Sequence, residues 1–244
     1  MQRVLCVIPA RFGSTRLPGK PLEEIAGVPL IVHVLNNARA AGVFDEICVA
    51  TDDERIAAAV RRAGGAAEMT LPSHVSGTDR VFEAAQRYSC THVVNIQGDE
   101  PRIPAPLLRT FAAALKQIED NSLLTVVSHA TIEDKNNPNA VKAVLDRSDN
   151  ALYFSRHPIP YEREKGAPCY RHVGIYGFTM QSLERFCGLD EGTLEHAERL
   201  EQLRALENGM KIRCLVYDFE SVGIDTPEDL ERFRRQVAGN GYGS

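Results

Sequence analysis

"RVLCVIPARFGSTRLPGKPL", residues 3–22, decides how the rest of the chain is read. Residues 3–9 form a continuous apolar run, the pattern of a strand buried on both faces of a parallel sheet. The chain then turns polar and cationic at once. Between Pro9 and Pro21 lie Arg11, Arg16 and Lys20, with Gly13 and Gly19 and no acidic residue, in a protein of net charge −5. Ligands of open α/β sheets gather at the carboxyl ends of the strands. Backbone N–H groups of a Gly-containing turn, joined by three cations, suit phosphates there. Pro9, Pro18 and Pro21 restrict the backbone around those cations. The loop is not a Walker A motif: five residues rather than four separate Gly13 and Gly19, and Pro21 stands where Ser or Thr is required. Nor is it G-x-G-x-x-G. On composition alone, a plain solvated turn is the competing reading.

Strands and helices alternate beyond the loop. Pro29 opens a helix to about Ala41, closed by Gly42. A strand follows at 46–50, then Asp52 caps a helix with acids in its first turn, arginines in its last and Gly64 as its stop. A short strand near Glu68 leads to "SGTDR" (76–80), where Ser76 or Thr78 caps a helix to about Tyr88. "HVVNI" (92–96) is a strand, Pro104 to Gln117 a helix, and "LLTVVSHA" (123–130) a strand. This rhythm predicts an α/β fold with a mostly parallel central sheet flanked by helices.

From about 138 to 180 the rhythm breaks. "AVKAVLD", "ALYFSR" and "VGIYGF" read as strands without intervening helices, an antiparallel β subregion. A single helix is expected over "TLEHAERLEQLRALENG" (193–209), where Leu200, Leu203 and Leu206 share one face. The strand "KIRCLVYD", a helix from Pro227 and a frayed tail "GNGYGS" finish the chain. One domain spanning 1–244, with the β subregion inserted at about 138–180, is the expected organisation.

The bulk numbers exclude several classes. Hydrophobic residues at 43% and charged residues at 25% describe a globule able to bury a core. No apolar run approaches the ~20 residues of a membrane span, and the strand-like N-terminus lacks signal-peptide anatomy. The six cysteines show no C-x-x-C spacing. Cys6, Cys48 and Cys214 fall inside expected strands, as reduced thiols acting as small hydrophobes do. A cytoplasmic protein with no thiolate-held metal and no membrane insertion is the expectation. The acidic balance gives no support for nucleic-acid binding.

Two carboxylates complete the chemistry. "NIQGDEP" (95–101) sets Asp99 and Glu100 just past a buried strand, a position suited to Mg²⁺ held by one or two carboxylates and phosphate oxygens. A simple Gly-Asp turn is the competing reading. In "VGIDTPEDL" (222–230), Pro227 at the first helical position makes Thr226 the cap. Asp225 is then free for a cation, or is an ordinary loop aspartate. Arg80, Arg156, His172, Tyr176, Glu201 and Gln202 also stand in short marked stretches. Alone, a His on a strand is more often a structural residue than a catalyst, and "EQLR" reads equally as a solvated helix face. No Ser-His-Asp or H-E-x-x-H arrangement points to a covalent hydrolase or zinc enzyme.

Taken together and in order, "IPARFGSTRLPGKPL", "VATDD", "SGTDR", "NIQGDEP", "NPNAVKAVLD", "ALYFSRHPIP", "RHVGIYGF", "LEHAERLEQLR" and "GIDTPEDLERFR" resemble the 3-deoxy-manno-octulosonate (Kdo) cytidylyltransferases, the CMP-Kdo synthetases of Gram-negative bacteria. The likeness runs from about residue 3 to 236. It implies a Rossmann-like nucleotide-diphospho-sugar transferase fold and the reaction CTP + Kdo → CMP-Kdo + pyrophosphate, for lipopolysaccharide biosynthesis. It also implies Mg²⁺ and a homodimer built largely through the β subregion. By the same resemblance, Arg11 and Lys20 hold the triphosphate and act in catalysis, with Ser14 assisting. Ala10, Arg80 and Gln97 belong to the nucleotide site. Asp99 and Asp225 bind the metal. Gln97, His172, Tyr176, Glu201 and Gln202 line the sugar pocket with Arg156 nearby, and Arg16 is left without a role. The chain departs from the family at Asp79, where Glu is frequent, at Tyr161, where Trp follows "HPIP", and in a shorter 162–170. These departures keep 8-amino-8-deoxy-Kdo open as the acceptor. A cytidylyltransferase for another acidic sugar, such as a sialic acid, and a non-catalytic nucleotide-binding protein are the other readings.

Overall fold

The computed structural model describes residues 2–13, 17–164, 166–219, 223–224 and 226–239. Ser14, Arg16 and Asp225, and the tail from residue 240, lie outside the described residues. The chain divides into two compact units, Met1–Ala112 with Glu220–Ser244, and Ala113–Phe219.

The first unit opens with β1 (Val4–Ala10), buried along its whole length. The short hairpin β2 (Glu24–Ile25) and β3 (Val28–Pro29) precedes α1 (Leu30–Ala41). Then come β4 (Glu46–Thr51), α2 (Glu54–Arg62), β5 (Ala66–Met69), α3 (Gly77–Ala85), β6 (His92–Ile96) and α4 (Ala105–Leu115), within which the unit boundary falls. β1 joins β6 on one side and β4 on the other, and β4 joins β5, each pairing parallel. The register Cys6↔Val94 and Cys6↔Ile47 aligns their carboxyl ends. The loops after β1 and β6 therefore leave the same edge, the edge at which such sheets bind ligands.

The second unit holds β7 (Ser122–His129), α5 (Ile132–Asn136), β8 (Lys142–Leu145), β9 (Ala151–Ser155), β10 (Tyr170–Thr179), α6 (Met180–Cys187), α7 (Thr193–Glu198), α8 (Leu203–Glu207) and β11 (Lys211–Val216). β7 pairs parallel with β11 and antiparallel with β10. β10, β8 and β9 follow as antiparallel neighbours, the subregion expected from the loss of helices there. The last helix, α9 (Pro227–Gly239), belongs to the first unit. Among the described residues no helix is long and apolar enough to cross a membrane.

Local expectations give way at four places. Asp53, not Asp52, caps α2, its carboxylate accepting from the Arg55 N–H; Asp52 is engaged elsewhere. Pro29 is the N-cap of α1 rather than its first residue, because it still belongs to the β2–β3 hairpin. The expected helix over 193–209 is two helices. Arg199 takes a left-handed conformation (φ 54°), and tertiary hydrogen bonds described below hold that break. Leu200 and Leu203 are nonetheless buried as their spacing required. Finally, α6 was not foreseen: Thr179 caps it by accepting from the Ser182 N–H, and Leu183 and Phe186 bury its inner side.

Candidate active site

In the first unit the cationic loop is braced from within. The Gly19 N–H donates to the Phe12 carbonyl (3.0 Å), closing the loop into a short 3₁₀ turn at Lys20–Leu22. Gly19 adopts φ 75°, which disfavours any Cβ, and a Cβ there would lie 3.1 Å from the Phe12 ring. That ring carries the Arg55 guanidinium 3.5 Å above its centroid, a cation–π contact that fixes the base of the loop. Arg11 is exposed just past the end of β1 and makes no hydrogen bond or ion pair among the described residues.

Lys20 is turned inward. Its ammonium donates to Asp99 Oδ2 and to the Ile224 carbonyl, both at 2.7 Å. The Ile224 N–H in turn donates to the Asp99 carbonyl (3.0 Å). Three segments far apart in sequence are thus joined: the cationic loop, the turn after β6, and the chain entering α9. Gly98 permits the approach, since a Cβ there would lie 2.8 Å from the Pro9 carbonyl oxygen. Ile224 is fully buried in a cluster with Ile25, Leu30, Leu230, Phe233 and Val237, and Leu17 packs against it. Arg234 of α9 donates to the Glu24 carbonyl and to Glu23, binding the helix to the β2–β3 hairpin. This apolar knot is what sets the Ile224 carbonyl beside Lys20.

Arg80 occupies a different place from a free nucleotide-reading cation. It is buried (3% exposed), with Nη2 donating to Asp52 (2.8 Å) and Nη1 to the Thr70 hydroxyl. It ties the loops after β4 and β5 to α3. Asp79 forms a capping box with Ser76 at the start of that helix. A Glu-to-Asp difference at 79 is therefore accommodated as helix capping. Ala10 is buried at the end of β1, and Gln97 is half-buried, its carbonyl accepting from the Glu100 N–H.

In the second unit His172, Tyr176 and Gln202 come together. The Tyr176 hydroxyl donates to Gln202 Oε1 (3.1 Å), and its ring lies 5.4 Å from that of His172. Burial pushes the Tyr176 phenol well up, with the nearby Glu201 carboxylate adding to the effect. Burial likewise pushes His172 down to about 3, with the Arg171 guanidinium contributing, so the imidazole is neutral. Gln202 is 4% exposed, and its buried Nε2 makes no hydrogen bond among the described residues. An unsatisfied buried donor in such a polar cluster is a place for a ligand oxygen.

Arg156 stands apart from that role. Its Nε, Nη1 and Nη2 donate to the carbonyls of Glu198 (2.8 Å), Pro138 (3.1 Å) and Arg199 (3.4 Å). Glu198 returns the contact, accepting from the Ser155 hydroxyl and the Arg156 N–H. The guanidinium caps the carbonyls that the break after α7 leaves open. Lys142, unmarked in the sequence beyond its apolar strand, is fully buried; its ammonium donates to the carbonyls of Asn137, Ala140 and Arg156, and burial lowers its pKa. Arg156 and Lys142 together fix the backbone that leads to Glu201 and Gln202.

Parallel strands thus deliver a braced cationic loop and a carboxylate to one edge of the sheet, where α/β folds bind phosphate-bearing ligands. The family described as Cytidylyltransferase matches residues 5–212. A 3-deoxy-manno-octulosonate cytidylyltransferase of Anaeromyxobacter sp. is 48% identical, covering 98% of each chain. One from Thermodesulfovibrio yellowstonii is 46% identical, covering 93% of this chain and 95% of its own. A solved structure of a CMP:2-keto-3-deoxy-manno-octonic acid synthetase complexed with CTP superposes with a TM-score of 0.93 at 39% identity, over 98% of this chain and 99% of its own. The chain belongs to the family of 3-deoxy-manno-octulosonate cytidylyltransferases, as its nine motifs implied.

Proposed function

We propose that the protein transfers a cytidylyl group from CTP to 3-deoxy-D-manno-octulosonate, giving CMP-Kdo and pyrophosphate for lipopolysaccharide biosynthesis. The observation that carries this reading is 46–48% identity, over nearly the whole chain, to relatives bearing that name. The anomeric hydroxyl attacks the α-phosphorus, the bond to the β-phosphate oxygen breaks, and pyrophosphate leaves. No covalent enzyme intermediate is needed. Positioning and charge neutralisation do most of the work in such transfers.

Lys20 and Arg11 hold the triphosphate and neutralise charge growing on the leaving group. Ser14 assists, and Ala10 and Gln97 complete the nucleotide site, with Arg80 bracing it from behind. The Lys20 ammonium is paired with Asp99; a bound triphosphate would offer it stronger partners and release the carboxylate. Among the described residues no group of three or more His, Cys, Asp or Glu side chains is arranged to hold a metal. Mg²⁺ needs only one or two carboxylates when phosphate oxygens complete its shell, and Asp99 with Asp225 fits that donor set. Bound there, Mg²⁺ would neutralise phosphate charge and acidify the attacking hydroxyl. His172, Tyr176, Glu201 and Gln202 take the sugar, with Gln202 Nε2 as a ready donor and neutral His172 able to accept. A homodimer formed through the β subregion and a cytoplasmic location belong to the same reading.

The test is incubation with CTP and Kdo, following pyrophosphate release and the new phosphodiester by ³¹P NMR. CTP-dependent release with formation of a CMP ester is expected. Absence of both with folded protein and Mg²⁺ present would overturn the proposal.

A further inference from the structure

The hydroxyl of Thr125 sits where three observations meet. Thr125 is fully buried in β7, opposite Tyr176 of β10. The register of that pairing jumps: Val173 faces Val126, yet Tyr176 faces Thr125, so Gly174 and Ile175 form a bulge. Such bulges re-aim side chains, and here the residues on its two flanks include both His172 and Tyr176. Thr125 Oγ1 lies 2.8 Å from the Ile175 carbonyl oxygen inside the bulge and 2.9 Å from His172 Nε2.

A hydroxyl has one proton to give and lone pairs to accept with. A carbonyl oxygen can only accept, so the Thr125 proton goes to Ile175. The remaining contact then requires His172 Nε2 to carry the hydrogen and donate to Oγ1. A neutral ring protonated at Nε2 has a lone pair at Nδ1. Among the described residues the ring's hydrogen bond is the one at Nε2, and Nδ1 makes none. The ring itself is packed at 5.1 Å against Phe154 and 5.4 Å against Tyr176, so its plane is set by neighbours on both sides.

We propose that Thr125 is a positioning residue that pins the β10 bulge and locks His172 in the Nε2–H tautomer, leaving Nδ1 to accept a hydrogen bond from a hydroxyl of the sugar. The tautomer makes His172 a reader of sugar hydroxyls and not of the sugar carboxylate, which offers no proton to Nδ1. The substrate half of this statement rests on the function proposed above; the tautomer half stands on the free protein alone.

The experiment is ¹H–¹⁵N correlation NMR of the full chain labelled with ¹⁵N-histidine at pH 7, with His172 assigned from the signal lost in His172→Gln. The wild type should show the Nε2–H pattern. Thr125→Val, which keeps the shape and removes the hydroxyl, should show mixed tautomers. Its KM for the sugar should rise about 5-fold, the worth of one hydrogen bond, with KM for CTP unchanged. The conservative Thr125→Ser should rescue both readouts. An Nδ1–H pattern in the wild type overturns the proposal. So does a folded Thr125→Val that keeps both the Nε2–H pattern and the wild-type sugar KM. If Thr125→Val does not fold, the wild-type pattern and the Thr125→Ser readouts decide instead. A wild type with the Nε2–H pattern but no turnover of any octulosonate would count against the proposed function and leave the clamp standing.

Discussion

Lys20 and Asp99 illustrate how much a single ammonium can be asked to do. Each stands in a loop that leaves the carboxyl end of a strand, one suited to phosphate and one to a cation, and the structure brings them within 2.7 Å of each other. If Lys20 follows charge onto the leaving pyrophosphate, Lys20→Ala should lower kcat at saturating CTP by at least ~10²; a change confined to KM for CTP would make it a uniform binding residue. Asp99→Asn should cut turnover by a similar ~10² with the fold retained, as for loss of a ligand to the proposed Mg²⁺. His172 makes a prediction about stability. Its ordinary pKa near 6.5 is lowered to about 3 in the folded protein, so between these values the unfolded chain binds the extra proton. The contribution of this residue is complete above pH 6.5 and is lost as pH falls toward 3. Urea unfolding from pH 7 to 4 should therefore show a steeper loss for the wild type than for His172→Gln. Parallel curves would contradict the assignment.

Among the elements, the break between α7 and α8 shows where local pattern stops being a guide. Residues 193–209 have helical periodicity, and no glycine or proline announces a stop before Gly209. Arg156, about forty residues away, donates from its guanidinium to the Glu198 and Arg199 carbonyls and so makes the break stable. Arg156→Ala should therefore lower the stability of the free protein by ~1–3 kcal/mol in denaturant unfolding, besides raising KM for the sugar. An arginine that only met the sugar would leave the free protein's stability unchanged. The knot around Ile224 gives a parallel case: Phe233→Ala should cost roughly 3–5 kcal/mol, and a loss under ~1 kcal/mol would mean that the cluster does not hold α9 in place. The strands and most helices were legible because apolar runs, capping residues and glycine stops are local signals. β1, β4 and β6 lie where their hydrophobic runs placed them. Residues whose roles depend on distant partners were not legible. Asp52 reads as a helix cap but binds Arg80, and Thr125 reads as one more β-former in "LLTVVSHA". Lys142 carries no signal that would mark it as a buried peg.

At the scale of the whole molecule, the parallel unit with its cationic edge and the unit with the His172–Tyr176–Gln202 cluster make a protein whose nucleotide chemistry is easier to read than its acceptor. Loop and carboxylate positions speak to phosphates, which bind at the carboxyl ends of such strands. In the proposed function the acceptor is chosen by how a few polar groups, Gln202 Nε2 and His172 among them, match one set of sugar hydroxyls. Unpaired buried groups discriminate strongly, because a sugar lacking the matching oxygen leaves them unsatisfied. The most direct measurement is therefore kcat/KM for CTP-dependent pyrophosphate release across a panel of acidic sugars: Kdo, 8-amino-8-deoxy-Kdo and N-acetylneuraminate. The account predicts the highest kcat/KM for Kdo, with N-acetylneuraminate lower by at least ~10², the scale on which an unmatched buried polar group discriminates. Turnover of N-acetylneuraminate equal to or above that of Kdo, or release with no octulosonate at all, would contradict it.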